Sequence, residues 1–421
     1  MKIVIFGLGI TGLVNYATYW NHRDTVVAYG EDPKEVLQAT RYPNPAWEVS
    51  LRKILSKTKT KKIITSKLED LEGGNLFLFC EEPVYQEDGS LDVSSLEKDL
   101  MIAQQHGSKD DVYFVLRTLL PLGYTAKLRT RLPSSIHLIV APSFLSSLPY
   151  SEETNPDRIV LGVEKEEDAD VVIALRKREI QNHGVPVFVM DYASAELLPF
   201  VSLAFLRAKQ NYANAVAMLC ERYGADASKV LPSLGSDHRI GWSLLRVNGG
   251  YGEDHVNQAL REIQNQFEPA GQILEVNQRR IDSFLETIRI AFNGNLQGKT
   301  IAIAGWPSNE GNAKAAVAWQ YAEKLVTAGA NVVAYEPKET RPLDQVAFVS
   351  FAETFRAALA KADALLILAP EDCFKQLSEE RLLQAMPGRW IFDACQLYDS
   401  SYFHEFHYVA AGEKSSAIEM A

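Results

Sequence analysis

Short apolar runs separated by helical patterns fill the first 190 residues. The runs are Lys2–Phe6, Thr25–Tyr29, Leu76–Cys80, Val112–Leu116, His137–Ala141, Ile159–Val163 and Val187–Met190. Near-continuous apolar strands that alternate with helices predict a mostly parallel sheet covered on both faces. From Asp191 to about Ile290 the apolar positions recur at helical spacing instead. Ser194–Tyr223 reads as one long helix, apolar on more than one face, with Pro199 near its start. Such a helix is buried in a core or a subunit interface, and a proline is tolerated better near a helix start than in mid-helix. A second long helix is predicted from about Gln272 to Phe292, with the loop-rich stretch Gly235–Asp254 between them. After Gly298 the alternation returns, with strands at Lys299–Ala304, Asn331–Tyr335, Ala364–Ala369 and Trp390–Asp393. The expected fold is α/β: a Rossmann-like domain over 1–190, a helical region over 191–297 and a second Rossmann-like domain over 298–421.

The first strand runs straight into Gly7-Leu8-Gly9-Ile10-Thr11-Gly12, and a helical pattern follows. Strand, tight turn and helix N-terminus form the setting in which G-x-G-x-x-G cradles a dinucleotide. Gly7 allows the turn, Gly9 lets the backbone approach a pyrophosphate, and Gly12 lets the helix pack close to the strand. The helix N-terminus then offers unpaired N–H groups and a positive dipole end to the phosphates. The next strand ends in Tyr29-Gly30-Glu31-Asp32. An acid at that point accepts hydrogen bonds from the adenosine ribose, and Glu31 is the candidate, one residue later than the usual place. An acidic helix N-terminus is the alternative reading of the same residues. The acidic pair disfavours a 2′-phosphate, so NAD is expected over NADP. The second α/β domain has Gly305-Trp306-Pro307 in place of the glycine fingerprint, which puts the cofactor on the first.

Composition narrows the class. A hydrophobic share of 47% and a charged share of 23% are those of a soluble globular chain, and 421 residues call for two or three domains. A net charge of −11 argues against nucleic acid and against an anionic membrane as partners. The local basic run Lys57–Lys62 and the acidic run Glu164–Asp168 read as solvated surface. The four cysteines, Cys80, Cys220, Cys373 and Cys395, lack metal-ligand spacing; Cys80 and Cys395 sit in strand-like runs and are expected as buried free thiols. No metal site is expected, and the cytoplasm fits best.

Several ordered stretches resemble one family. They are Gly89-Ser90-Leu91-Asp92-Val93-Ser94, Pro121-Leu122-Gly123-Tyr124-Thr125, Ala141-Pro142-Ser143-Phe144-Leu145, Asn155-Pro156-Asp157-Arg158-Ile159-Val160-Leu161-Gly162, Asp237-His238-Arg239-Ile240-Gly241 and Val276-Asn277-Gln278-Arg279-Arg280. Together they are similar to the UDP-glucose/GDP-mannose dehydrogenases over nearly the whole chain. The resemblance implies an NAD-binding domain, dimerisation through the long helix and a nucleotide-sugar-binding domain. It marks Leu8, Ile10, Thr11, Lys34, Pro83 and Thr118, with the glycines and Glu31, as cofactor contacts, and Phe144, Leu145, Arg239, Gly249 and Gly250 as substrate contacts.

The family's reaction oxidises a sugar C6 alcohol to a carboxylate with two NAD. A cysteine thiolate is the nucleophile, a lysine and an asparagine stabilise the oxyanion, and carboxylates and a threonine handle water and protons. This sequence departs at every matched position. Tyr251 or Gly252 takes the cysteine's place, and no cysteine lies between Cys220 and Cys373. Pro199 stands for the lysine, Leu203 for the asparagine, Ser143 for the glutamate and Leu119 for the threonine. The second domain's sugar-contacting arginine is Ala313, next to Lys314. Three readings follow. The chain is a catalytically divergent or inactive homologue that still binds NAD; or it is an NAD-dependent enzyme for a two-electron step on another small molecule, with His238, His255, Asp254, Tyr251 or Lys209 as acid or base; or it runs the family reaction with a relocated nucleophile.

Overall fold

A computed structural model describes residues 1–19, 25–40, 63–86, 88–144, 156–247, 254–306, 317–337 and 347–414. Two compact units, Met1–Ser202 and Leu203–Ala421, meet in the chain inside the long helix.

The first unit carries strands β1 (Lys2–Phe6), β2 (Thr25–Tyr29), β3 (Ile63–Thr65), β4 (Leu76–Phe79), β5 (Val84–Tyr85), β6 (Leu91–Asp92), β7 (Val112–Leu116), β8 (Ile136–Val140), β9 (Ile159–Gly162) and β10 (Val187–Met190). Its helices are α1 (Ile10–Tyr19), α2 (Pro33–Thr40), α3 (Ser94–His106), α4 (Tyr124–Arg131), α5 (Asp170–Leu175) and α6 (Lys177–His183), followed by the start of α7 (Tyr192–Tyr223). Eight strands form one sheet in the order β10-β9-β8-β7-β4-β1-β2-β3. All neighbours are parallel except β8 and β9, which meet antiparallel at Val140 and Gly162. Side chains alternate across a strand, so a continuous apolar run is stable only where both faces are covered. That is the case here: Ile3 and Ile5 join one buried cluster with Val26, Ala28, Leu76 and Leu78, while Val4 and Phe6 join the opposite one with Val27, Tyr29, Phe77 and Phe79.

Strand order reverses between β1 and β4. In an open α/β sheet that switch point opens a crevice at the carboxyl ends of the strands, and ligands bind there. Gly7 leaves β1 and Cys80-Glu81-Glu82 leaves β4 at this crevice. Behind it Glu196, buried on α7, accepts the backbone N–H groups of Gly123 at 2.7 Å and Thr125 at 2.6 Å. This carboxylate caps α4 and fixes the Pro121–Thr125 turn.

The second unit holds the rest of α7, then α8 (Ala227–Gly235), α9 (Asp254–Ile263), α10 (Glu268–Ala291), β11 (Thr300–Ala304), α11 (Val317–Thr327), β12 (Asn331–Tyr335), β13 (Ser350–Phe351), α12 (Phe355–Leu359), β14 (Ala364–Ile367), α13 (Glu379–Ala385), β15 (Trp390–Asp393) and β16 (His407–Ala410). Its sheet is wholly parallel in the order β13-β12-β11-β14-β15-β16. Ala217 of α7 and Ile281, Phe284 and Ile288 of α10 pack with Ile301, Ile303 and Leu366 on one face of it. Inside, the fully buried Arg280 holds Glu221 at 2.9 Å, and Glu221 also accepts from Gly412 N–H at 2.6 Å.

The expected strands appear within a residue or two of their predicted bounds, and the α/β class with two Rossmann-like sheets is borne out. Five short strands went unpredicted: β5 and β6, which pair with each other, and β3, β13 and β16, each at an edge of its sheet; the two or three residues of all but β16 give too little periodicity to read. The acidic run is solvated only from Glu164 to Glu167. Asp168 is buried and meets His137 Nδ1 at 2.6 Å. The basic run Lys57–Lys62 lies outside the described residues except as a sequence. Of the thiols, Cys80 and Cys220 are buried and Cys373 is exposed, while Cys395 belongs to a residue of intermediate exposure, not the fully buried one expected.

Candidate functional site at the first switch point

The glycine turn has the geometry its sequence demands. Gly7 has φ +93°, a conformation L side chains rarely adopt. A Cβ there would stand 3.0 Å from the Cys80 carbonyl and from Glu81 N. A Cβ on Gly12 would lie 1.9 Å from the Gly7 carbonyl oxygen, so α1 can pack this close to β1 only as glycine. The turn is therefore bound to the end of β4 and opens α1 at the crevice. Leu8 lies against Gly30, where a Cβ would meet Leu8 Cδ1 at 2.5 Å. Ile10 and Thr11 begin α1, whose first N–H groups have no acceptor inside the helix. Thr118 follows β7 and is buried beside it, and Pro83 follows Glu82. The residues present fit a dinucleotide in the tightness of the turn and in a helix N-terminus that opens directly after it.

Three acids around the turn, Glu81, Glu82 and Asp99, were not singled out by sequence reasoning, whereas Glu31 was. Glu31 is exposed and paired with Lys98 of α3 at 2.5 Å, and Lys34 sits on the exposed start of α2, its N–H donating to Asp32 at 2.8 Å. Both oxygens of Glu81 are enclosed, with no hydrogen-bond donor reaching them among the described residues. Its neighbour is Asp99 of α3. Burial first, then the hydrogen bond to Asp99 and repulsion from it, push Glu81 up to about 9. Asp99 is raised as well, by burial and by the Glu31 charge. Two carboxyls this close and this enclosed cannot both ionise cheaply, so both are held above the ordinary carboxylate range. Glu82 accepts from Thr11 N–H at 3.1 Å. In the sequence Glu81-Glu82 only follows an apolar strand; the fold brings the pair to the glycine turn.

The other candidates lie apart from this turn. Phe144 packs into the core facing β1 and carries Arg158 over its ring at 4.0 Å. In the second unit Arg239 is exposed and forked onto Asp237, with Nε to Oδ1 at 3.0 Å. His238 is almost fully solvated, and Lys209 donates to the Ile240 carbonyl at 2.7 Å. Leu145, Gly249, Gly250, Tyr251, Gly252, Ala313 and Lys314 lie outside the described residues, as do the side chains of Asp254 and His255. Leu119, Pro199 and Leu203 are buried, and Ser143 is half-buried. Burial pushes the thiols of Cys220, Cys373 and Cys395 up, the opposite of an activated thiolate. No group of acids, histidines and cysteines that could hold a metal ion occurs among the described residues, and no described helix is long and apolar enough to cross a membrane.

Two doubly wound sheets, one of them opening on a glycine dinucleotide turn, with a long helix running from one unit into the next, define a two-domain nucleotide-binding protein of the dehydrogenase class. The chain belongs to the UDP-glucose/GDP-mannose dehydrogenase family. That family's NAD binding domain matches residues 1–179, its central domain 193–281 and its UDP binding domain 308–400. NAD is the dinucleotide of the first unit. The chain is 24% identical to the UDP-glucose 6-dehydrogenase YwqF of Bacillus subtilis over 99% of its own length and 98% of that protein's. It is 25% identical to a UDP-glucose 6-dehydrogenase of Pseudomonas aeruginosa over 98% and 97%. Among solved structures it resembles a UDP-D-ManNAc dehydrogenase from Pyrococcus horikoshii (TM-score 0.82, 19% identity, 98% and 99% covered). A UDP-glucose dehydrogenase from Pyrobaculum islandicum is similar too (TM-score 0.81, 20% identity, 98% of each chain covered).

Proposed function

We propose that the chain is a catalytically divergent homologue within this family. It binds NAD on its first unit and a nucleotide or nucleotide sugar on its second, without running the four-electron oxidation. One observation carries the reading: the positions that resemble the family's working residues hold side chains that cannot do the work. Pro199, Leu203 and Leu119 are apolar and buried. Tyr251 or Gly252 stands where the nucleophile is expected, and each oxyanion donor lost costs about 3 kcal/mol of transition-state stabilisation. The raised thiols elsewhere weigh against a relocated nucleophile. The domain bounds 1–190, 191–297 and 298–421 go with this reading, as does a place in the cytoplasm.

The same reading makes the chain a homodimer through α7. Phe205, Tyr212 and Leu219 recur at a seven-residue spacing on that helix and are 71%, 57% and 56% exposed, with Tyr223 at 74%. A stripe of that period suits a second copy of the same helix.

The test is to titrate the purified protein with NAD, add a panel of nucleotide sugars, and follow NADH absorbance. NAD binding with no NADH formed supports the divergent homologue. One NADH per substrate favours the two-electron oxidoreductase instead.

A further inference from the structure

The glycine turn has the room a pyrophosphate needs, and a carboxylate of the same chain lies in it. A Cβ on Gly9 would meet Glu82 Cγ at 2.9 Å and Oε1 at 3.0 Å. Glu82 thus lies across the glycine whose missing side chain makes the room. Its Oε1 takes the Thr11 N–H at the start of α1. A pyrophosphate seeks the same N–H groups and the same positive end of the helix dipole. Two anions cannot occupy that place together. The surroundings do not draw Glu82 away either: Glu31 already holds Lys98, and Glu81 is engaged with Asp99.

We propose that Glu82 is a carboxylate latch on the cofactor cradle, an internal competitor that must leave the N-terminus of α1 before the pyrophosphate of NAD seats. The inference rests on NAD being the ligand of this unit. Seating the cofactor costs the Thr11–Glu82 bond and the carboxylate's interaction with the helix end. A charge-assisted bond of this kind, largely exposed, lowers dinucleotide affinity roughly tenfold. A ligand without phosphates does not compete with Glu82 and does not feel it.

Glu82 is exposed, so its replacement leaves the core intact. The full-length protein is titrated with NADH by fluorescence and with adenosine by calorimetry, in the unchanged chain and in Glu82→Gln and Glu82→Thr. Glu82→Gln keeps the shape and removes the charge; Glu82→Thr also removes the reach. Both variants are expected to bind NADH roughly tenfold more tightly, with adenosine affinity unchanged. If the unchanged chain binds NADH and Glu82→Gln binds it no more tightly, the latch is wrong and the cofactor assignment stands. An equal gain for adenosine also overturns the latch, because the effect is then not on phosphate. If none of the three proteins binds NADH, the cofactor assignment falls and the latch with it.

Discussion

A side chain on Gly12 would put its Cβ 1.9 Å from the Gly7 carbonyl, so Gly12→Ala must push α1 off β1. Overpacking of this kind costs about 1–3 kcal/mol, and the shifted turn should lose NADH binding at least tenfold in the same titration; unaltered binding would contradict the cradle described here. Glu81 is legible through proton linkage. Its folded value is raised to about 9 from an ordinary 4.5. Between those values the folded chain holds a proton that the unfolded chain has released. The Glu81 contribution is therefore fully present below about 4.5 and is lost as pH rises through about 9. Urea midpoints should fall from mildly acid to alkaline pH, with a slope of up to about 1.4 kcal/mol per pH unit. Glu81→Gln, neutral throughout, should flatten that slope. Equal slopes in the two proteins would show that Glu81 is ionised in the fold. At this scale the sequence carried the three glycines plainly, because only a tight turn explains them. It did not carry the roles of Glu81, Glu82, Asp99 and Lys98, since two of these lie on α3, far along the chain, and meet the turn only through the fold.

Elements were easiest to read where an apolar run was buried on both faces, as in β1, β2, β4 and β11, whose alternate residues feed opposite clusters. Of the edge strands β10 was read while β3, β13 and β16 were missed; the two and three residues of β13 and β3 leave little pattern. The long helix was legible by its period, but its fastening was not. Glu196 on α7 caps α4 through two backbone N–H groups. Each buried charge-assisted bond contributes about 1.5–3 kcal/mol, so Glu196→Ala should destabilise the first unit by about 3 kcal/mol, read as a lower urea midpoint. A loss below about 0.5 kcal/mol would mean that α4 is held by other contacts. In the second unit, Arg280→Ala strands Glu221 and should cost about 3–5 kcal/mol, whereas replacing Arg280 and Glu221 together by apolar residues should cost much less.

Across the whole molecule, the exposed stripe on α7 predicts an assembly and the buried family positions predict a chemistry. Tyr212→Glu should turn a dimer into a monomer in sedimentation, because the charge would be buried against its own copy; a dimer that survives it would move the interface off this face. The family and its NAD-binding domain were readable in the order of weak motifs along the chain, and that recognition is borne out. The divergent-homologue proposal rests on the sequence alone, where no cysteine lies between Cys220 and Cys373. The most direct measurement is the end-point yield of NADH with limiting UDP-glucose and excess NAD. The divergent-homologue account predicts no NADH above the protein-free control. Two NADH per UDP-glucose would contradict it.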